Sequence, residues 1–225
     1  MAQEDKVLDN TLTLRRKRIM TYFIEATEKL IRLDGIDGLS IRKIANEAGY
    51  NSATIYNYFN DLEELALFGS VCYLREYVAM LDHSLTEDMR AIDQYRTIYR
   101  CFNHCAFRFP DIYHNMFFGK YSNKLGAVLH LYYCELFPSE LDHFSERMKE
   151  MLVSGNMWER DRITIDKMVQ EGDLREDRAD ATLSLIIALH QNFIYEASLC
   201  REDFDLERHQ NKFNELFEYL LAAGR

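Results

Sequence analysis

Apolar positions Ile19, Phe23, Ala26, Leu30 and Leu33 fall four, three, four and three residues apart, which predicts one helix from Arg15 with a single inward stripe. Asp34-Gly35 stops it, glycine being the usual residue just past a helix C-terminus. After the loop Ile36–Leu39, Ser40 suits the N-cap of a second helix with Ile41, Ile44, Ala45 and Ala48 inward. That helix ends at Gly49. Asn51 can then cap a third helix whose inner face is Ile55 and Phe59. Two short helices joined by a glycine-containing turn make a helix-turn-helix unit. Asp61 caps a fourth helix to about His83, with Leu62, Leu65, Ala66, Cys72 and Tyr77 on its inner side.

Helical patterning continues to the end. The pattern predicts helices over Met89–Phe109, stopped by Pro110; Asp111–Phe118; Ser122–Phe137, stopped by Pro138; and a periodic stretch Ser139–Val153 broken at Ser154-Gly155-Asn156. Met157–Glu171 ends at Gly172, Asp177 caps Arg178–Cys200, and Asp205–Ala222 closes the chain. Only 2 Pro and 9 Gly punctuate the 225 residues, too few for a β-sandwich or barrel. The expected fold is all-α. The expected division is a polar arm over 1–14, a three-helix unit over 15–60, and a larger helical unit over 61–225.

Net charge, −10, excludes a uniformly basic nucleic-acid binder, but a sum conceals local patches. Residues 1–60 hold nine Lys and Arg against eight Asp and Glu, and all of the acidic excess lies beyond them. Arg15, Arg16, Lys17 and Arg18 form one basic cluster. The five cysteines (72, 101, 105, 134 and 200) show no CxxC spacing, and no secretory leader is evident, which fits reduced thiols and a cytoplasmic location. No apolar run approaches the ~20 residues a membrane span needs.

In a helix-turn-helix the second helix enters the major groove with its first residues at base edges. Ser52 and Ala53 are small enough for close approach there. Thr54, Tyr56 and Tyr58 carry hydroxyls for phosphates, and Asn57 suits a bidentate contact with adenine. Arg42 can reach a phosphate or a guanine, and Arg15–Arg18 can neutralise phosphates or enter the minor groove. A three-helix bundle that merely packs on the rest is the plainer reading. Residues 15–65, and above all LSIRKIANEAGYNSATIYNYFNDLEEL over 39–65, resemble the DNA-binding domain of the TetR family of bacterial regulators. The resemblance carries DNA contacts onto Arg42, Ser52, Ala53, Thr54, Tyr56, Asn57 and Tyr58. It departs at Leu62, where the family often keeps a phosphate-binding Lys. Leu62 reads as core, with Asn60 a weak substitute.

The resemblance implies a homodimeric, cytoplasmic regulator of double-stranded operator DNA. It implies a repressor released from a palindrome when a small, largely apolar or aromatic effector binds the body. Residues 98–137 are dense in aromatics, read individually as core and together as pocket walls. Phe102, Asn103, His104, Phe107, Tyr113, Phe117, His130, Trp158 and Gln191 are the candidate effector residues. The helix over 178–200 is apolar on more than one face and, with 157–171, is assigned to an intersubunit four-helix bundle through Met168, Leu183, Ile187, His190 and Ile194. A rival reading is a helical enzyme or metal site on the shared face of Cys101, His104 and Cys105, with His114 or His130 added; a full ligand set is not evident. A third is a regulator that answers only to a protein partner. The sequence calls for no cofactor, metal or catalytic residue: it contains no phosphate-binding glycine loop, HExxH or GxSxG.

Overall fold

The structure, a computed structural model, describes residues 13–86, 88–153, 157–199 and 204–225; for 147, 150, 151, 153 and 157–160 it describes the backbone. The expected arm lies outside the described residues except for Thr13 and Leu14, as do the break at 154–156 and Cys200. The described residues hold helices and no strand. Among them, no helix is long and apolar enough to cross a membrane.

Helix α1 (Leu14–Asp34) starts at Thr13, whose hydroxyl accepts from the Arg16 N–H. Its stripe of Ile19, Phe23 and Ala26 is buried, as the spacing predicts, and Leu30 is half-buried. Leu33 corrects the pattern: it is 69% exposed, in the last turn of α1. α2 (Ile41–Ala48) and α3 (Ser52–Ile55) complete the N-terminal helix-turn-helix domain. Phe23 is its centre, with its ring 5.2 Å from Tyr50, 6.1 Å from Tyr58 and 6.4 Å from Phe59.

The predicted fourth helix divides in two on its way into the larger C-terminal domain. α4 (Leu62–Ser70) passes through a 3₁₀ turn at Val71–Tyr73 into α5 (Leu74–Ser84). α4 lies directly on α1 through Gly69, where an added Cβ would fall 2.5 Å from Thr27 Cγ2. α6 (Ala91–Ala106) and α7 (Pro110–Phe118) follow. α8 (Leu125–His130) widens into a π turn, Leu131–Leu136, closed by a 2.8 Å bond from the Phe137 N–H to the Tyr132 carbonyl. Then come α9 (Glu146–Val153), α10 (Met157–Gln170), α11 (Glu176–Leu199) and α12 (Leu206–Ala223). α11 starts one residue before Asp177, the predicted cap, whose carboxylate pairs with Arg175 instead.

The side chains assigned to the dimer bundle face inward. Met168, Leu183, His190 and Ile194 are buried within the chain and Ile187 is half-buried. The open stripe of α11 is Leu185, Ala188, Gln191, Asn192, Tyr195 and Leu199, with Ile163 exposed on α10.

Candidate nucleic-acid interface

The turn between α2 and α3 is set by local chemistry. Ser40 caps α2 by accepting from the Lys43 N–H at 3.2 Å. Gly49 closes α2 at φ 75°, a left-handed conformation glycine takes without steric cost. The Tyr50 and Gly49 N–H groups donate back to the Ala45 and Asn46 carbonyls, so the orphan carbonyls of α2 are satisfied. Asn51 Oδ1 accepts from the Ala53 N–H at 2.9 Å and caps α3. α3 has one α turn and then tightens: the Asn57 N–H donates to Thr54, and the Tyr58 and Phe59 N–H groups donate to Ile55.

This backbone sorts the segment by face. Ile55 and Phe59 are buried, and Phe59 packs edge-on to Phe68 of α4 at 5.5 Å. Ala53, Tyr56 and Asn57 are exposed, and Ser52, Thr54 and Tyr58 stand half-buried at the edges. Arg42 is exposed beside them on α2. Arg15 and Arg18 are exposed as well. Their neighbours are engaged inside the molecule: the Arg16 guanidinium lies 5.0 Å over the Tyr58 ring, and Lys17 pairs with Glu135 of the π turn. Lys17 holds the Glu135 carboxyl below its usual range.

The start of α4 shows what surrounds the departure at Leu62. Leu62 is half-buried against the core, and Asn60 is turned inward, its N–H and side-chain amide on the Glu64 carboxylate. The acidic residues there are paired from the body. Lys120 Nζ lies 2.6 Å from Asp61 and 3.0 Å from Glu63, and Tyr121 donates to Asp61 at 2.8 Å. Burial acts to raise the Asp61 carboxyl, but Lys120, the Glu64 N–H and Tyr121 together hold it below its usual range. A second joint lies under α1. Buried Glu28 accepts from Tyr132 at 3.0 Å, and Arg75 lies 3.6 Å from Glu28 and 3.2 Å from Glu140.

In the body, Phe102, Asn103, Phe107, Tyr113 and Phe117 are all buried. Phe102 meets Tyr113 at 5.2 Å and Phe117 at 4.8 Å. His104, His130 and Gln191 do not join them. His104 is directed to Glu76 and Arg108, and His130 and Gln191 are exposed. The side chain of Trp158 lies outside the described ones. His190 takes the central place, its ring 4.8 Å from Phe102 and 6.3 Å from Phe107. The signal for it was the buried stripe Leu183, Ile186, His190, Phe193, Ala197, one residue out of register with Gln191.

The face of Cys101, His104 and Cys105 does not converge. Both thiols are buried, and burial pushes Cys101 up and Cys105 up to about 11, the opposite of an activated nucleophile. His104 stands outside beside Glu76.

Among known proteins, PfmR of Thermus thermophilus, a TetR family transcriptional regulator, is similar in structure at 16% identity, covering 89% of this chain and 97% of that one with a TM-score of 0.49. The TetR-family regulator HI0893 of Haemophilus influenzae is similar at 18% identity over 94% and 98%, TM-score 0.46. SmeT, the repressor of the Stenotrophomonas maltophilia multidrug efflux pump SmeDEF, is similar at 14% identity over 91% and 89%, TM-score 0.46. No curated protein sequence matches. Residues 23–67, the segment from Phe23 through both turns into α4, match the family described as bacterial regulatory proteins, tetR family. That match lies on the helix-turn-helix just described, so residues 23–67 carry the DNA-binding segment shared by the bacterial regulatory proteins of the tetR family.

Proposed function

We propose that the chain is a cytoplasmic homodimeric repressor that reads a palindromic operator and leaves it when a small effector enters the aromatic interior of the body. Residues 15–60 act as the reading unit and 61–225 as the effector and dimer unit. The observation that carries the reading is the sorting of α3, with Ala53, Tyr56 and Asn57 outward over buried Ile55 and Phe59. In it Ser52, Ala53 and Asn57 meet base edges; Thr54, Tyr56 and Tyr58 meet phosphates through hydroxyls. Arg42, Arg15 and Arg18 supply positive charge, while Arg16 holds Tyr58 in place and Lys17 ties α1 to the body. Two copies would meet through the open stripe of α11 with Ile163, and α3 of each would enter the major groove about one turn of DNA apart.

Release requires that the effector prefer the non-binding state. The joint of Asp61 with Lys120 and Tyr121 suits transmission, since it fastens the N-cap of α4 to the segment after α7. Selection of bound duplexes from a random pool tests the reading. An inverted repeat should emerge, its binding should weaken steeply with salt, and Tyr56→Ala should lose it. A pool without enrichment would exclude sequence reading by α3.

A second reading, a regulator without a small-molecule ligand, draws on the way the interior rings pack on one another at 4.8–6.5 Å. It leaves the unpartnered polar groups among those rings without a purpose.

A further inference from the structure

The interior of the body holds polar atoms that the fold leaves unserved. Among the described residues, Nδ1 and Nε2 of His190 and Oδ1 and Nδ2 of Asn103 have no hydrogen-bond partner, on residues with 0% exposure. Rings surround His190 edge-on: Phe102 at 4.8 Å, Tyr99 at 5.2 Å, Phe213 at 5.5 Å, Phe107 at 6.3 Å and Phe118 at 6.5 Å. Asn103 stands one turn of α6 after Tyr99 and one turn before Phe107, the residue that ends the helix, and both of those rings meet His190. Buried polar side chains are nearly always bonded, and a core that needed only volume would hold leucine at both positions.

The chemistry of the lining restricts what it would hold. Burial alone lowers the His190 imidazole to about 3, so near neutral pH the ring is uncharged and offers one donor and one acceptor. The Asn103 amide offers the same pair. An anion would find no cation among these side chains. A cation would find no free carboxylate, because Asp161 on this side already accepts from Tyr95 at 3.2 Å and Tyr99 at 2.6 Å. A flat aromatic molecule can take a place among the rings by offering the edge-to-face contacts they make to one another. Building on the effector reading above, we propose that His190 and Asn103 are the polar anchors of the effector site, and that they select an uncharged aromatic molecule with a donor and an acceptor side by side, as in an aromatic carboxamide.

Three probes on one skeleton test it: 2-naphthamide, 2-naphthoate and 2-naphthamidine, titrated calorimetrically into the full chain and into Asn103→Leu and His190→Leu. On the native protein the amide should bind about tenfold tighter than either ion, as one lost charge-free hydrogen bond already implies a factor of that order. Each leucine variant should weaken the amide by roughly tenfold while keeping or raising the melting temperature, since it removes a buried unpartnered group. A purely structural pair would lose stability and leave probe affinity unmoved. Equal binding of either ion, no binding of the amide at millimolar concentration, or crystals of the amide-soaked protein showing water alone on both side chains would each overturn the proposal. The native-protein comparison stands whether or not the variants fold. Specific duplex binding without amide binding sinks this site and leaves the regulator; amide binding without specific duplex binding sinks the regulator and leaves the site.

Discussion

Asp61→Ala removes the first residue of the joint between the reading unit and the body. The carboxylate makes three contacts: it caps α4 by accepting from the Glu64 N–H at 2.9 Å, accepts from Tyr121 at 2.8 Å, and pairs with Lys120 at 2.6 Å. Loss of an N-cap costs about 1 kcal/mol. Loss of the Tyr121 bond costs about another 1 kcal/mol, since Tyr121 is only half-buried and water replaces part of it. The Lys120 pair is open to solvent and contributes mainly salt dependence. The total, about 2 kcal/mol, lowers the melting temperature by roughly 4–8 °C for a chain of this size.

The pH dependence has a definite sign. The folded carboxyl sits below its unfolded value, near 3.9, so its stabilisation is present above about pH 4 and lost as pH falls through the folded value. Asp61→Asn separates the parts: asparagine caps as well as aspartate but cannot pair with Lys120. Thermal unfolding followed by circular dichroism, at pH 7 and pH 3, in low and high salt, reads all three. Asp61→Asn should recover the cap, about half of the loss, but neither the bond accepted from Tyr121 on the second oxygen nor the salt sensitivity. An Asp61→Ala protein that melts with the native one at pH 7 would refute this account of the joint.

Gly69→Ala places a Cβ against Thr27 and should part α4 from α1 at a cost of about 1–3 kcal/mol by denaturant unfolding; an unchanged midpoint would deny the close approach. Gly49→Ala meets nothing within 4 Å, so its cost, about 1–2 kcal/mol, comes from φ 75° alone, and Gly49→Asn should be milder. Phe59→Ala empties the contact between Phe23 and Phe68 and should cost about 3–5 kcal/mol, read in the same unfolding curves. His190 has a folded value near 3 against 6.5 unfolded, so the unfolded chain takes up a proton first and stability falls as pH drops through that window. Between pH 6.5 and 5 the native protein should lose about 2 kcal/mol that His190→Leu does not.

The reading unit was legible because its signals are local. Ser40, Gly49 and Asn51 act on backbone groups within five residues of themselves, and Phe23, Ile44, Ile55 and Phe59 face each other across three short helices. The body was legible as helical, but its partners were not. The passage through Val71–Tyr73 and the π turn at Leu131–Leu136 carry no glycine or proline to announce them. Apolarity on two faces of α11 could not tell which face meets its own chain, so His190 and Ile194 were turned outward and Gln191 inward. Nor could the sequence show that Lys120 pairs with Asp61 at the start of α4, since that contact joins residues 59 apart.

Asn57 on the open face of α3 tests the central claim most directly. Binding of the native protein and of Asn57→Ala to the selected duplex, and to every single-base variant of one half-site, is to be measured by fluorescence anisotropy at fixed salt. A bidentate base contact predicts about a tenfold to hundredfold loss that vanishes at one base-pair position, where the variant no longer discriminates, with the salt slope unchanged. Equal affinity of the two proteins for every duplex would contradict the assignment of α3 as the reading helix.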